Sequence, residues 1–206
     1  MKLRLIAALL TGFGLSACAA PETATRNVQI DPPQQAVPLS VSVEEVVVHV
    51  PRTLKVSEAN RYFPEGDIVW REDAPGDRHA QVQAIVEDAM TQGVSGLSGA
   101  RPAVLDIEIT RFHALSEKAR FSTGGVHAVH FIMTLRDPAT GQPLSAPREI
   151  KASLKEFGGQ KAIEAMQRGE TQKVRITRHL AEVIRTEIAA PGSYHAADLG
   201  MFRLFQ

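Results

Sequence analysis

Two stretches of the chain alternate so regularly between apolar and polar residues that they admit one local structure. In "AVLDIEITRF", Leu105, Ile107 and Ile109 fall on one side and Asp106, Glu108 and Thr110 on the other; "VHAVHFIMTL" repeats the pattern with Val129, Phe131, Met133 and Leu135. A period of two is that of a β-strand, because successive side chains point to opposite faces. One polar side per strand favours an antiparallel sheet over a parallel sheet buried on both faces. Upstream, "VSVEEVVVHV" carries Val41 and Val43 in one phase and Val46, Val48 and Val50 in the other. A bulge at Glu44-Glu45 reconciles the two. After the turn "DPATGQP", "REIKASLKEF" alternates again through Ile150, Ala152 and Leu154.

Between the first two strands the period changes. Val82, Ile85, Val86, Ala89 and Met90 fall at helical spacing with Asp77 in position to cap the N-terminus. A short helix is expected over Gln160 to Gln167 and a longer one from Thr171 to Ala190, with Val174, Leu180, Ala181, Ile184 and Ile188 on its apolar face and Pro191-Gly192 as the stop. The expected fold is α+β. It is a mainly antiparallel four-stranded sheet with two main helices packed on one face, in the order strand, helix, strand, strand, strand, helix. Residues 39–192 form the single domain and 193–206 a C-terminal tail.

Composition narrows the chemistry. Lys and Arg total 23 and Asp and Glu total 23, so the electrostatic term that drives non-specific nucleic-acid binding is missing. One cysteine, Cys18, excludes an intramolecular disulfide, a zinc ribbon and an Fe–S cluster. Three histidines sit close in sequence, His113, His127 and His130. On a strand, His127 and His130 point to opposite faces and cannot share an ion. If the two alternating strands form a hairpin, matching their apolar faces puts His127 on the core side near Ile107 or Ile109 and His130 on the polar side near Asp106. No metal and no cofactor are expected. Gly93, Gly96 and Gly99 follow a helix rather than open one, so they read as a C-terminal cap and turn, not a phosphate loop. Gly124-Gly125 reads as a strand start or bulge. Nothing nominates a nucleophile.

Three features remain ambiguous. Lys173, Arg175, Arg178 and Arg185 make the outer side of the last helix basic, but Glu170, Glu182 and Glu187 are interleaved, as on an ordinary solvated face. Trp70 serves either a core or a partner surface. Met201, Phe202, Leu204 and Phe205 either close the bottom of the core or dock on a partner.

Met1 to Ala17 reads as a secretory signal peptide, with Lys2 and Arg4 at the start, an apolar centre from Leu5 to Leu10 and small residues at Ser16 and Ala17. As a helix, residues 3–17 would measure about 22 Å, short of the ~30 Å hydrocarbon core of a bilayer. The tetrad Leu15-Ser16-Ala17-Cys18 resembles the lipobox of bacterial lipoproteins. That resemblance implies fatty acylation (palmitate) at Cys18 and cleavage before it, and Ala19 in place of aspartate implies sorting to the outer membrane, facing the periplasm. Residues 18–38, "CAAPETATRNVQIDPPQQAVP", then act as lipidated cysteine and flexible tether. Further on, "GDIVWREDAPGDRHAQVQAIVEDAM", "TRFHALSEKARFSTGGVHAVHF" and "GETQKVRITRHLAEVI" resemble a functionally uncharacterised family of small Gram-negative lipoproteins. The signal peptide, tether and mixed sheet with two helices are also similar, in architecture alone, to auxiliary lipoproteins of envelope transport systems.

The expectation is therefore a lipid-anchored, non-catalytic binding or accessory module of the cell envelope, meeting the membrane through Cys18 and an envelope protein or lipid as partner, with no nucleic acid. The rival is a small periplasmic enzyme, hydrolase-like, whose mark would be a pocket where titratable groups such as His113 and Glu117 converge.

Overall fold

Both alternating stretches fold as the long central strands of one sheet. In the computed structural model the described residues are 39–196; the segments expected as signal peptide and tether, Cys18, Phe202 and Phe205 lie outside them. The elements run β1 (Val41–His49), β2 (Ile68–Val69), α1 (Arg78–Val94), β3 (Arg101–His113), α2 (Glu117–Arg120), β4 (Gly125–Arg136), β5 (Arg148–Lys151), β6 (Leu154–Glu156), α3 (Gln160–Gln167) and α4 (Gln172–Ala189).

The sheet is mixed and six-stranded, which corrects the antiparallel four-stranded expectation. β3 and β4 pair antiparallel at its centre. β1 and β2 lie end to end along the other side of β3, both parallel to it, and β5 and β6 lie end to end along β4, both antiparallel. The cause of the parallel pairing is α1, which crosses the sheet between β1 and β3 and returns the chain in its original direction. The strand β2 arises from the connecting region, which carries too few residues of strand to register as a period. "REIKASLKEF" is split because Ala152 and Ser153 leave the ladder between β5 and β6.

The bulge in β1 falls where the valine phases meet: Val43 pairs with Ala103 and Glu45 with Val104, leaving Glu44 out of register. A second shift, between Ile109 and Arg111 of β3, gave no signal in sequence.

One face of the sheet carries the helices. Leu105, Ile107, Ile109, Phe112, Phe131 and Met133 join Val86, Met90, Ile176, Leu180 and Ile184 in a single core. Asp77 caps α1 by accepting from the N–H groups of His79 and Ala80 at 3.0 and 3.2 Å. The Arg52 guanidinium and these amides hold the Asp77 carboxyl down at about 2. Thr171 caps α4. Two details of α4 and α1 differ from expectation. Val174 is exposed, and Ile176, four residues before Leu180, takes its place on the buried stripe. Gly93 lies within α1, and a Cβ there would overlap Ile184 and the Ala181 carbonyl of α4. It is a helix-crossing glycine rather than a cap, and Ser95 occupies the cap position.

Trp70 is not a partner surface. It is fully buried, meets Phe112 edge-on with ring centroids 5.8 Å apart, and donates its indole N–H to Asp73 at 2.8 Å. It follows directly on β2, which brings it into the core, and Asp73 supplies the partner a buried indole needs.

Candidate functional site

The charged stretch Arg71 to Arg78 is absorbed by the scaffold. Glu72 accepts from the backbone N–H groups of Gln172 and Lys173 at the start of α4 and from the Arg120 guanidinium at 2.7 Å, a favourable place for an anion. Asp73 meets Lys173, Arg71 meets Glu117 and Glu58, and Arg78 is buried against Glu58. The cations of α4 are likewise matched: Arg175 by Glu156, Arg178 by Glu170 and Arg185 by Glu182. The outer side of α4 is thus ion-paired by its interleaved acids at Arg178 and Arg185, whereas Glu187 is buried and pairs with Arg148 of β5.

His127 and Glu156 form a pair that resembles half of a catalytic triad. Glu156 accepts from His127 Nε2 at 3.0 Å and from Arg175 Nε at 2.7 Å, and its other oxygen accepts from the Phe157 N–H. The remaining imidazole nitrogen, Nδ1, accepts the Leu115 N–H at 3.3 Å. That bond sets the tautomer, with the proton on Nε2 facing the carboxylate. Burial works to raise the Glu156 pKa, but the His127 N–H and the Arg175 guanidinium outweigh it and hold the carboxyl below the ordinary glutamate range. With His127 fully buried and both nitrogens engaged, the pair ties β4 to β6 and α4. The structure corrects the sequence placement here: His127 is on the core side, but beyond Phe112 and beside β6 rather than near Ile107 or Ile109.

The opposite face of the sheet holds two buried polar groups without a partner. His130 stands there between Arg111 of β3 and Lys151 of β5, its register partners, and not near Asp106, which pairs instead with Arg136 at 2.6 Å. Matching apolar faces leaves the register free to slide in steps of two residues, and two such steps with the shift after Ile109 carry His130 from Asp106 to Arg111. His130 is 8 % exposed. Its Nε2 and the Nε of Arg111 are buried without a hydrogen-bond partner, a condition that costs about 1–3 kcal/mol per group. Neither Arg111 nor Lys151 forms an ion pair among the described residues. Burial, then the charges of Lys151 and Arg111, push the His130 pKa below the ordinary imidazole value, with Glu149 acting the other way.

Two residues along β4 from His130, Ala128 pairs with His113, and this row floors an apolar cavity of about 80 Å³. Tyr62, Phe63 and Pro64 wall it on one side and Leu115, Gly125 and Val126 on another. Tyr62 lies under the Lys118 ammonium, 4.8 Å from the ring centroid. His113 donates Nε2–H to the Pro64 carbonyl at 2.9 Å, and burial lowers its pKa. Ser116, the hydroxyl beside it, donates to the Arg61 carbonyl at 2.5 Å. His113 and Glu117 do not converge, because Glu117 is held by Arg71 at 2.6 Å. Gly124 is needed for a different reason: a Cβ there would press on the backbone of Gly158, and its φ of +71° is one that side chains rarely adopt.

Sequence reasoning passed over Arg111, Lys151, Tyr62 and Phe63. Strict alternation from Ile109 would have put Arg111 inside the core. The register shift at Thr110 turns it to the other face, and no residue type announces that shift.

Among the described residues no helix is long and apolar enough to cross a membrane, and no group of three or more His, Cys, Asp and Glu side chains is placed to hold a metal ion. The fold defines a small α+β domain with helices on one sheet face and a polar-edged apolar cavity on the other. The chain belongs to the DUF6778 family, a family of unknown function, which matches residues 41–204. Membership of a functionally uncharacterised family is what the three quoted stretches implied. A comparison with curated proteins finds no match. Among solved structures, a candidate lipoprotein from Caulobacter crescentus is 15% identical, covering 56% of this chain and 83% of its own with a TM-score of 0.34. An uncharacterised protein is 15% identical, covering 73% of this chain and 95% of its own with a TM-score of 0.32.

Proposed function

We propose that the protein is a lipid-anchored lipoprotein of the outer membrane, facing the periplasm, that acts as a non-catalytic binding or accessory module in envelope assembly or transport. The anchor rests on Leu15-Ser16-Ala17-Cys18 behind a signal-peptide pattern, and the membrane assignment on Ala19. Two or more acyl chains hold a protein stably at a bilayer where one holds it marginally. The observation that carries the binding role is the cavity floored by His113 and Ala128. It is apolar, its imidazole and serine hydroxyl are already spent on backbone carbonyls, and no nucleophile and base meet in it. A hydrolase would need such a pair within hydrogen-bond reach.

Labelling cells with a fatty-acid analogue tests the anchor: the wild-type chain takes up label and Cys18→Ser does not. Label retained by Cys18→Ser would refute it. Crosslinking in intact cells followed by mass spectrometry tests the role, and should recover a specific envelope protein or lipid. Recovery of no specific partner would count against the module.

A further inference from the structure

We propose that the helix-free face of the sheet binds an amphiphilic carboxylate, a fatty acid or similar single-chain lipid, with its head on Arg111 and Lys151 across His130 and its stem in the cavity under Tyr62 and Pro64. This names a ligand class for the binding module and rests on that reading.

The register supplies the geometry. Arg111, His130 and Lys151 are direct cross-strand neighbours on β3, β4 and β5, so their side chains stand abreast on one face. Neither Arg111 nor Lys151 is ion-paired among the described residues, Arg111 Nε and His130 Nε2 are buried without a partner, and the acid whose charge reaches His130 is Glu149, one row away. A carboxylate has the acceptor capacity to satisfy a guanidinium, an ammonium and an imidazole N–H together. The row at His113 and Ala128 is two residues further along β4, roughly 7 Å away at about 3.4 Å per residue. An anion on the cationic row therefore places the first carbons of its stem at the mouth of the apolar cavity. In the opposite direction the next row carries Ile132 between Glu108 and Glu149. Those acids repel the head and leave the cavity as the one apolar route. A space of about 80 Å³ takes a few methylenes or one ring, well below the roughly 300–1,000 Å³ of pockets that enclose drug-sized ligands. The head and the proximal stem are thus held and the rest of the chain stays outside.

The test is calorimetric titration of octanoate into the full chain held in phosphatidylcholine nanodiscs, with empty discs subtracted, alongside NMR of the His130 ring. One octanoate should bind per chain and raise the His130 pKa. Acetate should do neither, and octanamide, neutral but of equal length, should bind at least about tenfold more weakly, as expected for lost charge-assisted hydrogen bonds. Arg111→Gln and Lys151→Gln should each weaken octanoate about tenfold, and Ala128→Leu, which fills the cavity, should weaken it with the cations intact. Circular dichroism checks that each variant is folded. Equal binding of octanamide, unchanged affinity in Arg111→Gln, or no binding overturns this assignment alone. Conversion of octanoate to a product would instead overturn the non-catalytic reading on which it stands.

Discussion

At His127 the tautomer is set by a backbone amide. The Leu115 N–H occupies Nδ1, so the proton sits on Nε2 and faces Glu156. Removing the carboxylate charge leaves Arg175 without its buried partner, and breaking a buried pair from one side costs about 3 kcal/mol or more. Glu156→Gln should therefore lower the free energy of unfolding by about that amount in urea denaturation at pH 7. The pH dependence has a definite sign. A carboxyl whose folded pKa is depressed contributes stability that is complete above the ordinary glutamate value of about 4.3 and lost as pH falls through the lower folded value. The gap between wild type and Glu156→Gln should accordingly narrow below that pH. A gap that stays constant down to acid unfolding would show that Glu156 is not ionised by this pairing. None of this partnership was visible in sequence, since His127 and Glu156 are 29 residues apart and neither lies in a recognisable motif.

Among the elements, the contact between α1 and α4 depends on Gly93. Alanine is favoured over glycine in a helix interior by about 1 kcal/mol, so an isolated helix would gain from Gly93→Ala. In this fold the added methyl overlaps Ile184 and the Ala181 carbonyl, and overpacking of that kind costs about 1–3 kcal/mol. Thermal unfolding of Gly93→Ala should show a lower Tm than wild type; a higher one would mean that the helices separate freely at this crossing. The helices themselves were legible because their caps and periods are local: Asp77, Thr171 and the Ile184, Ile188 stripe lie within a few residues of what they organise. Strand register is not local. The shift in β1 could be read because valines fall in both phases around Glu44-Glu45, whereas the shift at Thr110 separates an isoleucine from an arginine and leaves no such mark. That shift turns Arg111 toward His130 and creates the cationic row.

Across the whole described body, one hydrophobic cluster runs from β1 through both long helices, and Trp70 lies inside it. A domain built on one core unfolds as a unit. Tryptophan fluorescence, which reports Trp70 alone, and far-UV circular dichroism, which reports all the helices, should trace coincident urea transitions. Separated midpoints would show that α1 and α4 and the β2 region form independent units. At this scale the family match from residue 41 to 204 begins where β1 begins and leaves out residues 1–40. Sequence alone determined the long strands β1, β3 and β4, the helices α1, α3 and α4, and where β1 bulges, because periodicity and capping act over a few residues; β2, α2 and the break between β5 and β6 left no such local mark. Only the tertiary structure decided that β1 runs parallel to β3, that Trp70 is buried, and that Arg111, His130 and Lys151 meet beside an apolar cavity. Those outcomes depend on crossover direction and cross-strand register, which are set by contacts between residues far apart in the chain.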